Sequence, residues 1–252
     1  MKKKLALFVA AILLIPAFSF SNIFTFKVGL FFPKAKSDLW QYEFDYLDLT
    51  RANFQNSNFG VSYEYFFSRE ISFILGIDGY SKKKLGIYKN YVGREGVPYY
   101  YALESGEGES LVHVFNVSIT PLQLSVKLTP MGRGRKLIPY VGGGVGVYLW
   151  SLSRQGDFVD FSMEDDYFDV ELEENRRGFA LYPDNTAKET SKLSIGYHAF
   201  GGFMYAFANR ITLEAEFKYN FAEGKLEAWS FRDSTPFDLS GYQVSLGINY
   251  WY

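Results

Sequence analysis

The chain of 252 residues contains no cysteine. That absence excludes disulfide staples, thiolate metal sites, cysteine nucleophiles and lipid attachment through an N-terminal cysteine. Only two histidines are present, His113 and His198, which leaves little material for imidazole chemistry. There is no surplus of positive charge either: 26 Lys and Arg face 28 Asp and Glu. Such a balance offers no general attraction for nucleic acid. Beyond residue 22, no segment free of charges and glycines reaches the roughly 20 residues that a membrane-spanning helix needs.

What the chain has in excess is aromatic rings: 25 Phe, 20 Tyr and 4 Trp. Rings of this kind favour strands and membrane interfaces. With 48% hydrophobic and 21% charged residues, the composition is that of a chain that buries a core, in one domain or at most two. The N-terminus reads Met1, Lys2, Lys3, Lys4, an apolar run from Leu5 to Phe18, then Ser19-Phe20-Ser21. This is a secretory signal pattern, with cleavage expected before Asn22, so residues 1–21 are read as a signal peptide and 22–252 as the working domain.

In the mature segment the dominant signal is a period of two. From 211 to 221, Ile211, Leu213, Ala215, Phe217, Tyr219 and Phe221 share one parity, while Thr212, Glu214, Glu216, Lys218 and Asn220 share the other. Such alternation makes a strand with one apolar and one polar face. The stretch from Tyr242 to Tyr252 repeats it, and both runs match the roughly 9 to 11 residues of a membrane-crossing strand. The same test finds strands over 24–32, 59–67, 71–77, 112–128, 138–150 and 193–207, which brings the total to eight. Pro121 cannot donate a ladder hydrogen bond and is expected to make its strand bulge or end early.

The connections alternate in length. Residues 68–70, 130–136 and 208–210 are short turns, whereas 34–57, 81–111, 152–192 and 222–238 are long links. An even strand count with short turns at one end and long loops at the other is the sequence form of an outer-membrane barrel, with both termini on the periplasmic side. A soluble eight-stranded barrel is the competing fold, because parity alone does not say which face points outward. The polar parity favours the membrane form: Lys27, Glu64, Asp78, Lys127, Glu214, Glu216 and Lys218, beside small residues, suit a paired network in a narrow interior. The expected fold is therefore all-β, an eight-stranded antiparallel up-and-down transmembrane barrel.

The segment Ile138-Pro139-Tyr140-Val141-Gly142-Gly143-Gly144-Val145-Gly146 and the closing Asn249-Tyr250-Trp251-Tyr252 resemble small outer-membrane proteins with an OmpA-like or OmpW-like eight-stranded barrel. The resemblance spans the mature chain and is one of architecture. It implies Ile248, Tyr250 and Tyr252 as the barrel-assembly signal, insertion by the barrel-assembly machinery after escort by periplasmic chaperones, and location in the outer membrane of a Gram-negative-type bacterium. It implies no ligand. Because the last strand ends at Tyr252, no appended peptidoglycan-binding domain is expected.

Few residues suggest chemistry. Gly142 to Gly146 lacks the Gly-Lys-Ser/Thr of a phosphate loop and lies within a strand, where glycines relieve crowding. A lipid hydrolase needs a serine and an acid beside a histidine, yet neither His113 nor His198 has a local serine motif. The lumen acids have lysine counter-charges, which favours a structural network over acid–base work. In the third long link, Asp157, Asp160, Glu164, Asp165, Asp166, Asp169, Glu171, Glu173 and Glu174 lack the spacing of a calcium loop and read as a solvated face. In the second link, Lys82, Lys83 and Lys84 are candidates for the phosphates of lipopolysaccharide, and Tyr88, Tyr91, Tyr99, Tyr100 and Tyr101 for the headgroup boundary or a sticky loop. Arg133, Arg135 and Lys136 mark the opposite rim.

The resulting expectation is a monomeric outer-membrane protein with a filled polar lumen and functional surface loops, in contact with outer-membrane lipid and lipopolysaccharide. No catalytic, cofactor or metal site and no nucleic-acid partner are expected. The alternative is a narrow channel for small solutes, hydrophobic ones included, and a lipid-modifying enzyme ranks below it.

Overall fold

The computed structural model describes residues 22–95, 99–104, 106–169, 173–227 and 236–252, so the signal expected over 1–21 lies outside the described residues. The described residues form ten antiparallel strands: β1 (Ile23–Pro33), β2 (Asn56–Phe66), β3 (Ile71–Glu95), β4 (Tyr100–Glu104), β5 (Glu109–Leu128), β6 (Leu137–Asp169), β7 (Glu174–Ala208), β8 (Ile211–Gly224), β9 (Phe237–Asp238) and β10 (Gly241–Trp251). Eight of them close a ring in the order β1, β2, β3, β5, β6, β7, β8, β10. Closure is made by the β1–β10 ladder, which runs from Ile23 opposite Trp251 to Pro33 opposite Gly241. At the chain ends, Asn22 N donates to Tyr252 O at 3.0 Å and Tyr252 N to Asn22 O at 3.1 Å, so the termini share the end that carries the three short turns.

The period-two faces sort in one direction. Phe24, Phe26, Val28 and Leu30 are exposed on β1, as are Phe217 on β8 and Val244, Leu246 and Ile248 on β10. Their polar neighbours Thr25, Lys27, Glu216, Lys218 and Ser245 are buried inside the ring. An apolar exterior around a polar interior is the inverse of a soluble barrel and the arrangement that lipid requires. This settles the ambiguity that parity left open. Among the described residues no helix is long and apolar enough to cross a membrane.

Three expectations need correction. The long links are mostly strand rather than loop: β3, β6 and β7 contain 25, 33 and 35 residues, well beyond what crosses a band of about 25 Å. Above the apolar band, β4 pairs with β3 on one side and with β7 on the other. The projecting parts of β3, β4, β7, β6 and β5 are thus tied into a second, five-membered cycle. Pro121 neither bulges nor ends its strand. The β3–β5 ladder skips from Ile77–Leu122 to Tyr80–Ile119 and keeps its register on both sides. The third correction is helix α1 (Asp38–Tyr46), which lies in a link read as a loop and buries Leu39, Trp40 and Glu43.

Glycines make room for inward rings. A Cβ on Gly202 would lie 2.6 Å from the Tyr140 hydroxyl oxygen, and one on Gly142 would enter the Phe200 ring. The outward assignment is tested by Phe217→Asp, whose charge in hydrocarbon costs about 3 kcal/mol. Loss of the folded, heat-modifiable species in membranes is expected, whereas normal assembly would place Phe217 elsewhere than against lipid.

Candidate functional site

The seven polar residues singled out on β1, β2, β3, β5 and β8 all project into the lumen, where they form connected ion pairs. Lys27 Nζ lies 2.8 Å from Glu216 and 3.1 Å from Glu214. Lys127 Nζ is 2.8 Å from Glu64, and Lys218 Nζ is 2.8 Å from Asp78. Further partners complete the lattice. Tyr140 Oη donates to Glu214, the Lys127 ammonium stands 4.2 Å over the Tyr140 ring, and Gln123 accepts from Lys218 at 3.0 Å. Arg133, placed by sequence only at the rim, turns inward, 3.7 Å from Glu64, and stacks on Phe66. Four cations (Lys27, Lys127, Lys218, Arg133) therefore face four carboxylates (Glu64, Asp78, Glu214, Glu216). Charges this buried persist only when each is paired, because their desolvation is costly.

Above this neutral lattice the lumen becomes apolar. Gln123 donates to Asn220 at 2.8 Å and Tyr148 Oη to the same oxygen at 3.1 Å. Tyr148 belongs to a large buried cluster with Phe31, Tyr80, Phe115, Trp150 and Phe237. Helix α1 drops Trp40 into its centre. The indole lies 4.8 Å from Phe54, 5.1 Å from Phe115 and 5.5 Å from Phe237, ring centroid to centroid, and its Nε1 donates to Asp238 O at 3.0 Å. Two interior voids measure about 10 and 20 Å³, one beneath the cluster and one within the lattice, each close to the room for a single water.

A second ionic group fastens the helix to the wall. The buried Glu43 carboxylate lies 2.6 Å from His113 Nε2 and 3.0 Å from Arg154 Nε. The Arg154 guanidinium lies 4.8 Å from the centroids of both the Tyr42 and the Phe158 rings. Burial opposes the arginine's charge, but Glu43 beside it raises the pKa above its ordinary value. Burial likewise raises the phenols of Tyr42 and Tyr88, which keeps them protonated as donors. Sequence reasoning missed this group. Its only signal was the helical spacing of Leu39, Trp40 and Glu43 behind Ser37-Asp38, a weak cue for a helix start.

The second histidine does meet a serine. Ser125 and His198 Nε2 are 2.7 Å apart on facing strands, a pairing no local motif could reveal. Among the described residues His198 Nδ1 has no hydrogen-bond partner and no acid orients the ring, and the pair is buried in the lumen.

Several surface residues sit elsewhere than expected. Lys82, Lys83 and Lys84 lie on β3 rather than in a loop: Lys82 and Lys84 share the inward parity of Tyr80 and are half-buried, and only Lys83 is exposed. Tyr88 and Tyr101 are buried and Tyr91 is half-buried, which leaves Tyr99 and Tyr100 as the exposed rings of that group. The acidic stretch runs along the β6–β7 ribbon, with Glu171 outside the described residues, and no three metal-ligating groups converge among the described residues. Ile248, Tyr250 and Tyr252 line the outer face of β10 and the chain end.

The closed ring, apolar exterior and polar interior define a small outer-membrane β-barrel. Solved structures of similar fold include OprG from Pseudomonas aeruginosa (TM-score 0.49, 13% identity, 92% of this chain and 95% of that chain). Others are Neisserial surface protein A (TM-score 0.45, 12% identity, 92% and 97%) and Ail, the attachment invasion locus protein of Yersinia pestis (TM-score 0.44, 9% identity, 92% and 100%). No protein-family model and no curated protein sequence matches the chain.

Lys27→Met leaves Glu214 and Glu216 without their shared cation and is expected to cost about 3–5 kcal/mol. The neutral pair Lys27→Met with Glu216→Gln is expected to recover part of that loss. Urea unfolding of the barrel in lipid vesicles measures both, and equal stability of Lys27→Met and wild type would remove the lattice from the energetics.

Proposed function

We propose that this chain is a non-enzymatic surface protein of the outer membrane: a sealed barrel that anchors and displays a rigid extracellular sheet. The single observation that carries the reading is the continuous filling of the lumen, ionic below and aromatic above, with α1 fastened across the mouth through Glu43. A neutral, fully paired lattice offers no net charge to select an ion, and eight strands leave little free bore. The surface available for contact is then the outside of the β3–β7 projection, including exposed Tyr99, Tyr100 and Phe168.

In the same proposal residues 1–21 are removed on export. The mature chain is escorted by periplasmic chaperones and inserted by the assembly machinery through Ile248, Tyr250 and Tyr252, and it works as a monomer among outer-membrane lipid. A second reading, a narrow route for small apolar solutes, is favoured by one observation. The β3–β5 ladder lapses beside Pro121, where the smaller void meets Phe31, Tyr80, Ile119 and Tyr148.

Planar-bilayer recording separates the two. The purified barrel is expected to give no conductance steps, and no faster uptake of small apolar solutes is expected in vesicles that contain it. Discrete steps would contradict the sealed reading, and uptake abolished by Pro121→Val would favour the solute route.

A further inference from the structure

One sector of the barrel wall lacks what the rest carries. The outward positions of β5 are the even residues from Ser110 to Leu128, and those of β6 are the odd residues from Leu137 to Gln155. These twenty positions hold no aromatic ring and no charge. Every other strand of the ring exposes at least one aromatic side chain, as at Phe26 on β1, Phe59 on β2, Phe73 on β3, Phe203 on β7, Phe217 on β8 and Tyr250 on β10. Rings and cations hold a lipid-facing wall at the headgroup boundary, and a wall that faces protein needs neither.

The bare face has two levels. Within the band it is aliphatic, from Leu128 to Leu122 and from Val141 to Leu149, with Gly143 as a hollow in the middle. Above the band it turns to uncharged hydroxyls and amides, Ser118 and Asn116 on β5 and Ser151, Ser153 and Gln155 on β6. Ten residue steps from Leu122 to Val112, at about 3.3 Å each and tilted by about 40°, climb about 25 Å past the band. A headgroup layer adds only about 7 Å. Lipid therefore covers the lower level alone, and a soluble partner reaches only the upper one. The occupant that meets both spans the same band and rises beside it.

A second copy of the chain does so by construction. Two barrels inserted the same way in one membrane pair about an axis along its normal. An axis between β5 and β6 sets the β5 column of one copy against the β6 column of the other, and the ladder then gives the contacts. Val126 meets the second copy's Gly143, Leu122 its Val147, Ser118 its Ser151 and Asn116 its Ser153, each contact made twice. A valine enters a glycine hollow, small hydroxyls let the walls approach and bond across, and no charge is buried. We propose that the β5–β6 wall is the face through which two copies of this chain pair in the membrane. The inference rests on the outer-membrane reading above and amends its monomer: each barrel is sealed by itself, and the pair sets two extracellular sheets side by side.

The test mixes full mature barrels carrying Ser118→Cys with barrels carrying Ser151→Cys in phosphatidylcholine vesicles, oxidises them briefly and counts the disulfide-linked dimer on gels. The mixture is expected to give about tenfold more dimer than Ser57→Cys, an exposed position on β2 outside the face. Val145→Phe, placed in the face of both barrels, should lower the yield about tenfold, the effect of one overpacked contact. The heat-dependent gel shift is preserved in that variant because phenylalanine is compatible with lipid. Val244→Phe, on β10, should leave the yield unchanged. Equal dimer from the mixture and from Ser57→Cys, or a yield that Val145→Phe does not lower, overturns the interface. A barrel that folds in vesicles yet stays single rejects the pair alone, whereas a chain that fails to fold there rejects the outer-membrane reading as well.

Discussion

The architecture depends on one constraint: in hydrocarbon every backbone N–H and C=O must be paired within the protein. Strands meet it only when the sheet has no edge inside the membrane. The β1–β10 ladder supplies that closure, and the rest follows from it. A closed ring of eight strands has a narrow inside and a lipid-facing outside. Period-two alternation then commits one parity to rings and aliphatics and the other to whatever a narrow bore accepts. Polar side chains placed there are out of bulk water, so Lys27, Lys127, Lys218 and Arg133 are matched by Glu64, Asp78, Glu214 and Glu216 rather than left to attract ions.

Filling proceeds upward in a chemical order. Ion pairs occupy the lower lumen, an amide and phenol layer at Gln123, Asn220 and Tyr148 forms the transition, and aromatic packing around Trp40 closes the top. The order is physically consistent: the transition residues satisfy polar atoms on one side and offer ring faces to the other. Glu43 then makes α1 part of the wall, because separating it from His113 and Arg154 would strand a buried carboxylate and a buried guanidinium together. The strands that rise above the band are held as one sheet by β4. The extracellular part is accordingly a framework with defined faces, on which position decides function: Lys83 looks out, while Lys82 and Lys84 look in.

Much of this was legible in the sequence, for reasons that particular residues make plain. Ile211 to Phe221 and Tyr242 to Tyr252 alternate without interruption, because lipid on one side and a paired lattice on the other tolerate no slip. The same alternation marks the seven lumen residues. It failed to read strands above the band. There β6 and β7 shift register between Trp150 and Leu152, Gly156 and Phe158, and Asp160 and Glu164, so parity reverses and the pattern looks like loop. Three consecutive lysines hide parity altogether. The Glu43, His113 and Arg154 group was illegible because its members come from three elements and meet only through the fold, as do Ser125 and His198.

The central claim is a lumen sealed at its mouth, and the absence of native cysteine makes it directly measurable. A single Ser125→Cys places a thiol beside His198, in the lattice beneath the aromatic layer. With the folded barrel in sealed vesicles and a water-soluble maleimide added on the side of the long strands, a sealed mouth leaves that thiol unlabelled until the protein is unfolded, while a thiol at exposed Lys83 labels at once. Rapid labelling at position 125 in the folded barrel would contradict the sealed lumen.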